Sequence, residues 1–88
     1  MNKNFLIFGG SGDLGQALIG YIQSIYDGKI WASYHSNFFS KCDVDVFYFD
    51  AEKGLDELKI RLFEREKIDV LIYLIGTHSS KNKIKKFL

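Results

Sequence analysis

Three glycines at even spacing, Gly9, Gly12 and Gly15, stand between a short apolar run and a helical pattern. Each suits the binding of an anion. Gly9 permits a sharp turn off a strand, and Gly12 has no Cβ to hold a diphosphate away from the backbone. Gly15 lets the next helix press against the sheet. The free N–H groups and positive dipole end of that helix face whatever enters the turn. The stretch Gly9-Gly10-Ser11-Gly12-Asp13-Leu14-Gly15 is therefore the first candidate site, with the chemistry of a dinucleotide diphosphate. A glycine-rich turn without a ligand is the alternative; strand, glycines and helix in that order favour the nucleotide.

A second cluster falls about 20 residues past the glycines, where a site for NAD usually places a carboxylate on the ribose 2′-hydroxyl. Here that position holds Tyr34-His35-Ser36, with no carboxylate to repel a 2′-phosphate. His35, Ser36 and Asn37 can donate hydrogen bonds to one, and Lys41 is close enough in sequence to add charge. NADP is thus favoured over NAD, with a polar surface bend as the alternative role for these residues. Asp13 either neighbours the pyrophosphate or caps the helix, and capping is the stronger expectation. His78 has no carboxylate or nucleophile beside it in sequence and reads as a solvated loop histidine. Cys42 reads as a small buried apolar residue. Neither a catalytic group nor a metal site emerges from the pattern.

The elements that position these residues follow from periodicity. Phe5-Leu6-Ile7-Phe8 is too short for a helix and reads as a buried parallel strand. Leu14, Leu18, Tyr21, Ile22 and Ile25 recur at helical spacing, and Asp27-Gly28 stops that helix with Gly28 in the left-handed position. Residues 29–33 form a second strand, 37–42 a short helix or irregular crossover, and 45–49 a third strand. A helix over 54–66 carries Leu55, Leu58 and Leu62 on one stripe with Phe63 beside it. Residues 70–75, VLIYLI, read as a strand buried on both faces. This order predicts an α/β fold with a Rossmann-like parallel sheet of order 3-2-1-4, an incomplete doubly wound arrangement. Its crevice opens above the first and fourth strands, between Gly9–Gly15 and Ile75-Gly76-Thr77.

Length and composition fit one small globular domain. The chain has 88 residues, 47% of them hydrophobic, with no proline. Its formal net charge is only +1, but Lys81, Lys83, Lys85 and Lys86 gather in a tail over 81–88 behind a nucleotide-binding domain over 1–80. Without interleaved aromatics that tail reads as solvated, so neither nucleic acid nor membrane is expected as a partner. One cysteine excludes an internal disulfide, and no signal peptide or membrane-length apolar run occurs, which makes a cytoplasmic setting the expectation.

Gly9-Gly10-Ser11-Gly12-Asp13-Leu14-Gly15 resembles the glycine motif of the short-chain dehydrogenases/reductases, in the spacing of the family's extended and atypical branches. Phe49-Asp50-Ala51 is similar to the segment that contacts adenine in the compact branch, so the resemblance implies cofactor contacts at Asp50 and Ala51; a strand-end or turn role is the alternative for Asp50. Ile68 to Gly76 is similar to the fourth strand that ends in Asn-Asn-Ala-Gly, although Tyr73-Leu74-Ile75-Gly76 keeps only the glycine. Phe8 to Leu14 also looks like the start of glucose-6-phosphate dehydrogenases, but Gln16-Ala17 replace their lysine pair. The family resemblance covers Lys3 to about Ser80 and corresponds to the N-terminal, NAD(P)-binding part of an oxidoreductase acting on a carbonyl or alcohol. The family's Tyr-x-x-x-Lys occurs nowhere: Ile25, Ile30, Phe38, Glu52 and Thr77 stand four residues after the five tyrosines. The expectation is a truncated chain, inactive alone, with an open fourth-strand edge prone to self-association. Two alternatives remain: a non-catalytic nucleotide-binding or regulatory module, and a fragment of an extended-branch sugar-nucleotide epimerase or dehydratase.

Overall fold

The computed structural model describes residues 2–75; Gly76, Thr77, His78 and the lysine tail over 81–88 lie outside the described residues. The chain runs β1 (Phe5–Phe8), α1 (Asp13–Ile25), β2 (Ile30–Tyr34), β3 (Val44–Tyr48), α2 (Glu57–Arg65) and β4 (Val70–Tyr73). All pairings are parallel, in the order β3-β2-β1-β4 that the sequence pattern predicts. Side chains alternate between two apolar layers, as the strand period of two requires. Phe5, Ile7, Ile30 and Ala32 meet Ile19 and Ile22 of α1 on one face. Leu6, Phe8, Trp31 and Phe47 meet Phe63 of α2 on the other. The fold is Rossmann-like, with one helix on each side of the sheet.

The face that α1 buries differs from the Leu14–Leu18–Tyr21–Ile22–Ile25 stripe. Gly15, Ile19 and Ile22 are its buried residues, with Leu18 packed beside them. Leu14 is 71% exposed, and Tyr21 and Ile25 are exposed as well. Apolar residues lie on two overlapping stripes here, and close approach at Gly15 selects between them. A Cβ on Gly15 would stand 2.5 Å from the Gly9 carbonyl oxygen. Only glycine at that point allows the helix to sit so low, and its face then turns Ile19 inward.

Other boundaries shift for local reasons. Gly28 does not take a left-handed conformation; among the described residues the glycines with positive φ are Gly9 and Gly54. Gly28 instead lies against the Lys3 carbonyl, with no room for a Cβ. Gly54 stands before α2, whose N-cap Asp56 accepts 2.8 Å from the Lys59 N–H, so the helix starts at Glu57. Leu58 then faces solvent, and Phe63 carries the packing. Residues 37–42 form an irregular crossover with no helix, and Cys42 on it is exposed rather than buried. Val70 to Tyr73 is only half-buried, with Leu71 exposed at the end of the sheet order. No helix among the described residues is long and apolar enough to cross a membrane.

Candidate functional site

The β1–α1 turn is built by close approach. Gly9 adopts φ 95° and brings its backbone against Ile75, whose N would lie 3.2 Å from an added Cβ. Its N–H donates 2.8 Å to Ser33 Oγ, and the Gly10 N–H donates 3.0 Å to the Ser33 carbonyl. Gly10 is enclosed: a Cβ there would meet Ala32, Phe39 and Ile19 at 2.9–3.3 Å. Gly12 differs, since an added Cβ would find nothing within 4 Å. Close packing therefore explains Gly10 and Gly15, whereas no described atom crowds Gly12.

Gly12 is also the N-cap of α1, and no side chain among the described residues caps the helix. The capping role expected of Asp13 is not observed: it is the first helical residue, an acidic group in the first turn. A glycine N-cap leaves the first N–H groups without the side-chain acceptor that serine, threonine or aspartate would supply. Such donors and the positive end of a helix dipole favour an anion, while Asp13 in the same turn places a negative charge beside them.

From this turn a cleft of about 680 Å³ crosses the carboxyl ends of all four strands. Gly9 and Ser11 border it on one side, with Ile75 beyond β4 facing them. Tyr34, His35 and Ser36 extend from β2 along its middle, and Asp50 and Ala51 from β3 close the far end. Gly9, Ser11, Tyr34, His35, Ser36, Asp50, Ala51 and Ile75 are thus brought to one opening, whereas Gly12 and Asp13 do not line it. Leu14 stays outside it on solvent, and Gly10 and Gly15 support it from behind. Gly76 and Thr77 lie beyond the described residues. Lys41 does not reach the cleft: its ammonium lies beside Gly20 on α1, because the crossover runs back over that helix.

His35 and Asp50 meet across the far end. The register pairs Tyr34 with Tyr48, so the chain leaves β2 and β3 side by side. His35 Nε2 then lies 3.7 Å from Asp50 Oδ2, and Ser36 Oγ is 3.3 Å from His35 Nδ1. Asp50 also shapes the turn, accepting 2.9 Å from the Glu52 N–H through Oδ1 and 2.9 Å from the Gly54 N–H through its carbonyl. The turn role and a place on the cleft wall are thus compatible.

Asn37, Phe49 and Tyr73 also line the cleft, as do Ser33 and Glu52, which the sequence pattern does not single out. Ser33 matters most. It is 1% exposed, the buried polar residue of a strand that is otherwise apolar up to that point. A lone serine at the end of an apolar strand is the available signal, but its partner depends on register. Ser33→Ala removes the acceptor of the Gly9 N–H and leaves a part-buried donor unpaired. The expected loss is about 1–3 kcal/mol of stability, read as a lower midpoint in urea unfolding. An unchanged midpoint would show that the turn does not depend on this bond.

A larger opening, about 820 Å³, lies at the amino-terminal ends of β2 and β3. Asp27, Asp43 and Asp45 line it with Lys29. It has neither the glycine turn nor a helix N-terminus, and its carboxylates disfavour a polyphosphate. The smaller cleft is the one that borders the glycine turn, at Gly9 and Ser11.

Known structures share this architecture. A dTDP-glucose 4,6-dehydratase from Bacillus anthracis str. Ames, solved in complex with NAD, superposes with a TM-score of 0.65 over 85% of this chain at 17% identity. The PbgP3 protein from Burkholderia pseudomallei superposes with a TM-score of 0.62 over 100% of this chain at 18% identity. At such identities the likeness is one of fold. The chain spans 27% of the length of each. No protein-family model matches the sequence, and no curated protein does.

Proposed function

We propose that this chain binds a nicotinamide dinucleotide, as the NAD(P)-binding part of an oxidoreductase of the short-chain dehydrogenase/reductase type. The observation that carries the proposal is the unfilled space at Gly12, directly before an uncapped helix and next in the chain to Ser11, which lines a cleft over the strand ends. The diphosphate lies on the first-turn N–H groups of α1. The adenosine extends toward Tyr34–Ser36 and Asp50–Ala51, and the nicotinamide runs toward Ile75, Gly76 and Thr77. NADP is preferred over NAD, because His35 and Ser36 offer donors to a 2′-phosphate, with the Asp50 carboxylate 3.7 Å from His35 Nε2 as the opposing charge. The fold shared with an NAD-bound dehydratase supports a dinucleotide in this place.

When bound, the cofactor supplies hydride exchange with a carbonyl or alcohol carbon. Residues 1–88 bind and orient it; they contain no Tyr-x-x-x-Lys to move the accompanying proton. The acid/base and the substrate contacts therefore belong to the whole protein. A second proposal, a part of a sugar-nucleotide epimerase or dehydratase, is favoured by the glycine spacing and by the fold shared with the dehydratase.

Titrating the chain with NADP and NAD by calorimetry tests the proposal. Saturable binding of both, tighter for NADP, is the expected result. Tighter binding of NAD reverses the preference alone, and no binding of either overturns the dinucleotide reading.

A further inference from the structure

The adenosine end of the cleft has an unusual charge inventory. No lysine or arginine is among its described lining residues. His35 is the one side chain among them that can become positive; it faces the Asp50 carboxylate, and Glu52 lines the same cleft. Its Nε2 lies 3.7 Å from Asp50 Oδ2, its Nδ1 lies 3.3 Å from Ser36 Oγ, and its ring leans on Tyr48 at 5.6 Å. Tyr34 precedes it on β2, while Lys53 lines a separate hollow beside Tyr48 and Asp50.

Resting on the dinucleotide function proposed above, we infer that His35 is a charge-switched selector at the ribose, admitting a 2′-phosphate over a 2′-hydroxyl only while its imidazole is protonated. Histidine is the side chain whose ordinary charge change falls between about pH 5 and 8. A 2′-phosphate carries roughly −1.5 to −2 charges near pH 7. With His35 neutral, this phosphate enters a cleft whose described lining holds the Asp50 and Glu52 carboxylates and no cation. Protonation offsets the Asp50 charge beside it and makes both ring nitrogens charge-assisted donors. A 2′-hydroxyl carries no charge and gains little from the same change. The NADP preference therefore belongs to the acid side of the switch and fades as the pH rises.

The test is the ratio of NADP to NAD affinity, measured by calorimetry on the 88-residue chain at about pH 6 and about pH 8.5. Wild type is compared with His35→Gln, which cannot carry charge, and His35→Lys, which carries it at both pH values. Dividing each ratio by that of His35→Gln removes the phosphate's own ionisation, near a pKa of about 6. For wild type the relative ratio is expected to be about five- to tenfold at the lower pH and close to one at the higher. His35→Lys should hold the elevated value at both. Since His35 is 58% exposed, both variants should fold, which circular dichroism checks. A relative ratio equal at the two pH values, or no gain in His35→Lys over His35→Gln, overturns the selector alone. Failure of wild type to bind either nucleotide overturns the dinucleotide function and the selector with it.

Discussion

Gly28→Ala is expected to destabilise the chain more than a methyl added at any other glycine of the described residues. Its backbone is not left-handed, so alanine meets no conformational penalty. The obstacle is the Lys3 backbone, whose carbonyl occupies the place of the new Cβ. Backbone atoms cannot rotate aside as a side-chain tip can. Relief requires moving the strand entrance, where the Phe5 N–H donates 2.9 Å to the Lys29 carbonyl and the Lys29 N–H donates 3.0 Å to Asn4 Oδ1. Asn4 also anchors the start of β4, since its carbonyl accepts from the Asp69 and Val70 N–H groups at 2.9 and 3.1 Å. One methyl thus disturbs the junction of three strands.

Overpacking of this kind costs about 1–3 kcal/mol and at times more, within a total that is only about 5–15 kcal/mol for ordinary domains. A small domain sits at the low end of that range. The expected outcome is a chain largely unfolded at room temperature, or one whose thermal midpoint falls by more than about 10 °C. Gly12→Ala is the control, because the same methyl there meets nothing within 4 Å. Equal melting of the two variants would contradict the packing described for the strand entrance.

Much of the fold is legible in the sequence alone. The glycine spacing, the abrupt end of Phe5–Phe8 and the apolar run at Val70 each belong to one stretch of chain, and together they determine the sheet order. The less legible features depend on what two stretches do to each other. Leu14, Leu18, Tyr21 and Ile25 form an acceptable helical stripe, and so do Gly15, Ile19 and Ile22. Only the contact of Gly15 with Gly9 decides between them. Gly28 carries the signature of a helix stop, yet its need for glycine comes from Lys3, 25 residues earlier. Asp13 has the residue type of a cap, but Gly12 takes the N-cap position.

The candidate site divides in the same way. Gly9 to Gly15 can be read from type and spacing, because a glycine-rich turn from strand to helix is local. Ser33 cannot, because its role is to receive the Gly9 N–H from a neighbouring strand. The meeting of His35 with Asp50 likewise follows from the Tyr34–Tyr48 register, which no local pattern specifies. Cys42 and Lys41 lie on an aperiodic crossover, where no hydrophobic period tells inside from outside. Cys42 is therefore exposed against expectation, and Lys41 sits over α1 instead of the cleft.

Gly12→Val separates binding from folding and carries the largest expected effect on function. The isopropyl group enters the space proposed for the diphosphate, at the mouth of the α1 N–H groups. It meets no protein atom at its Cβ, so the fold should persist with only the modest loss of a good N-cap residue. Excluding the diphosphate removes at least two hydrogen bonds to a charged group, each contributing about 1.5–3 kcal/mol. The affinity for either dinucleotide should therefore fall on the order of a hundredfold or more. The fall should be equal for NADP and NAD, because the diphosphate is common to both. The decisive measurement is a calorimetric titration of wild type and Gly12→Val with both dinucleotides, on samples with matching circular dichroism spectra. Saturable binding by wild type and none by the variant is what the Gly9–Gly15 site predicts. Equal binding by the two folded proteins would contradict it.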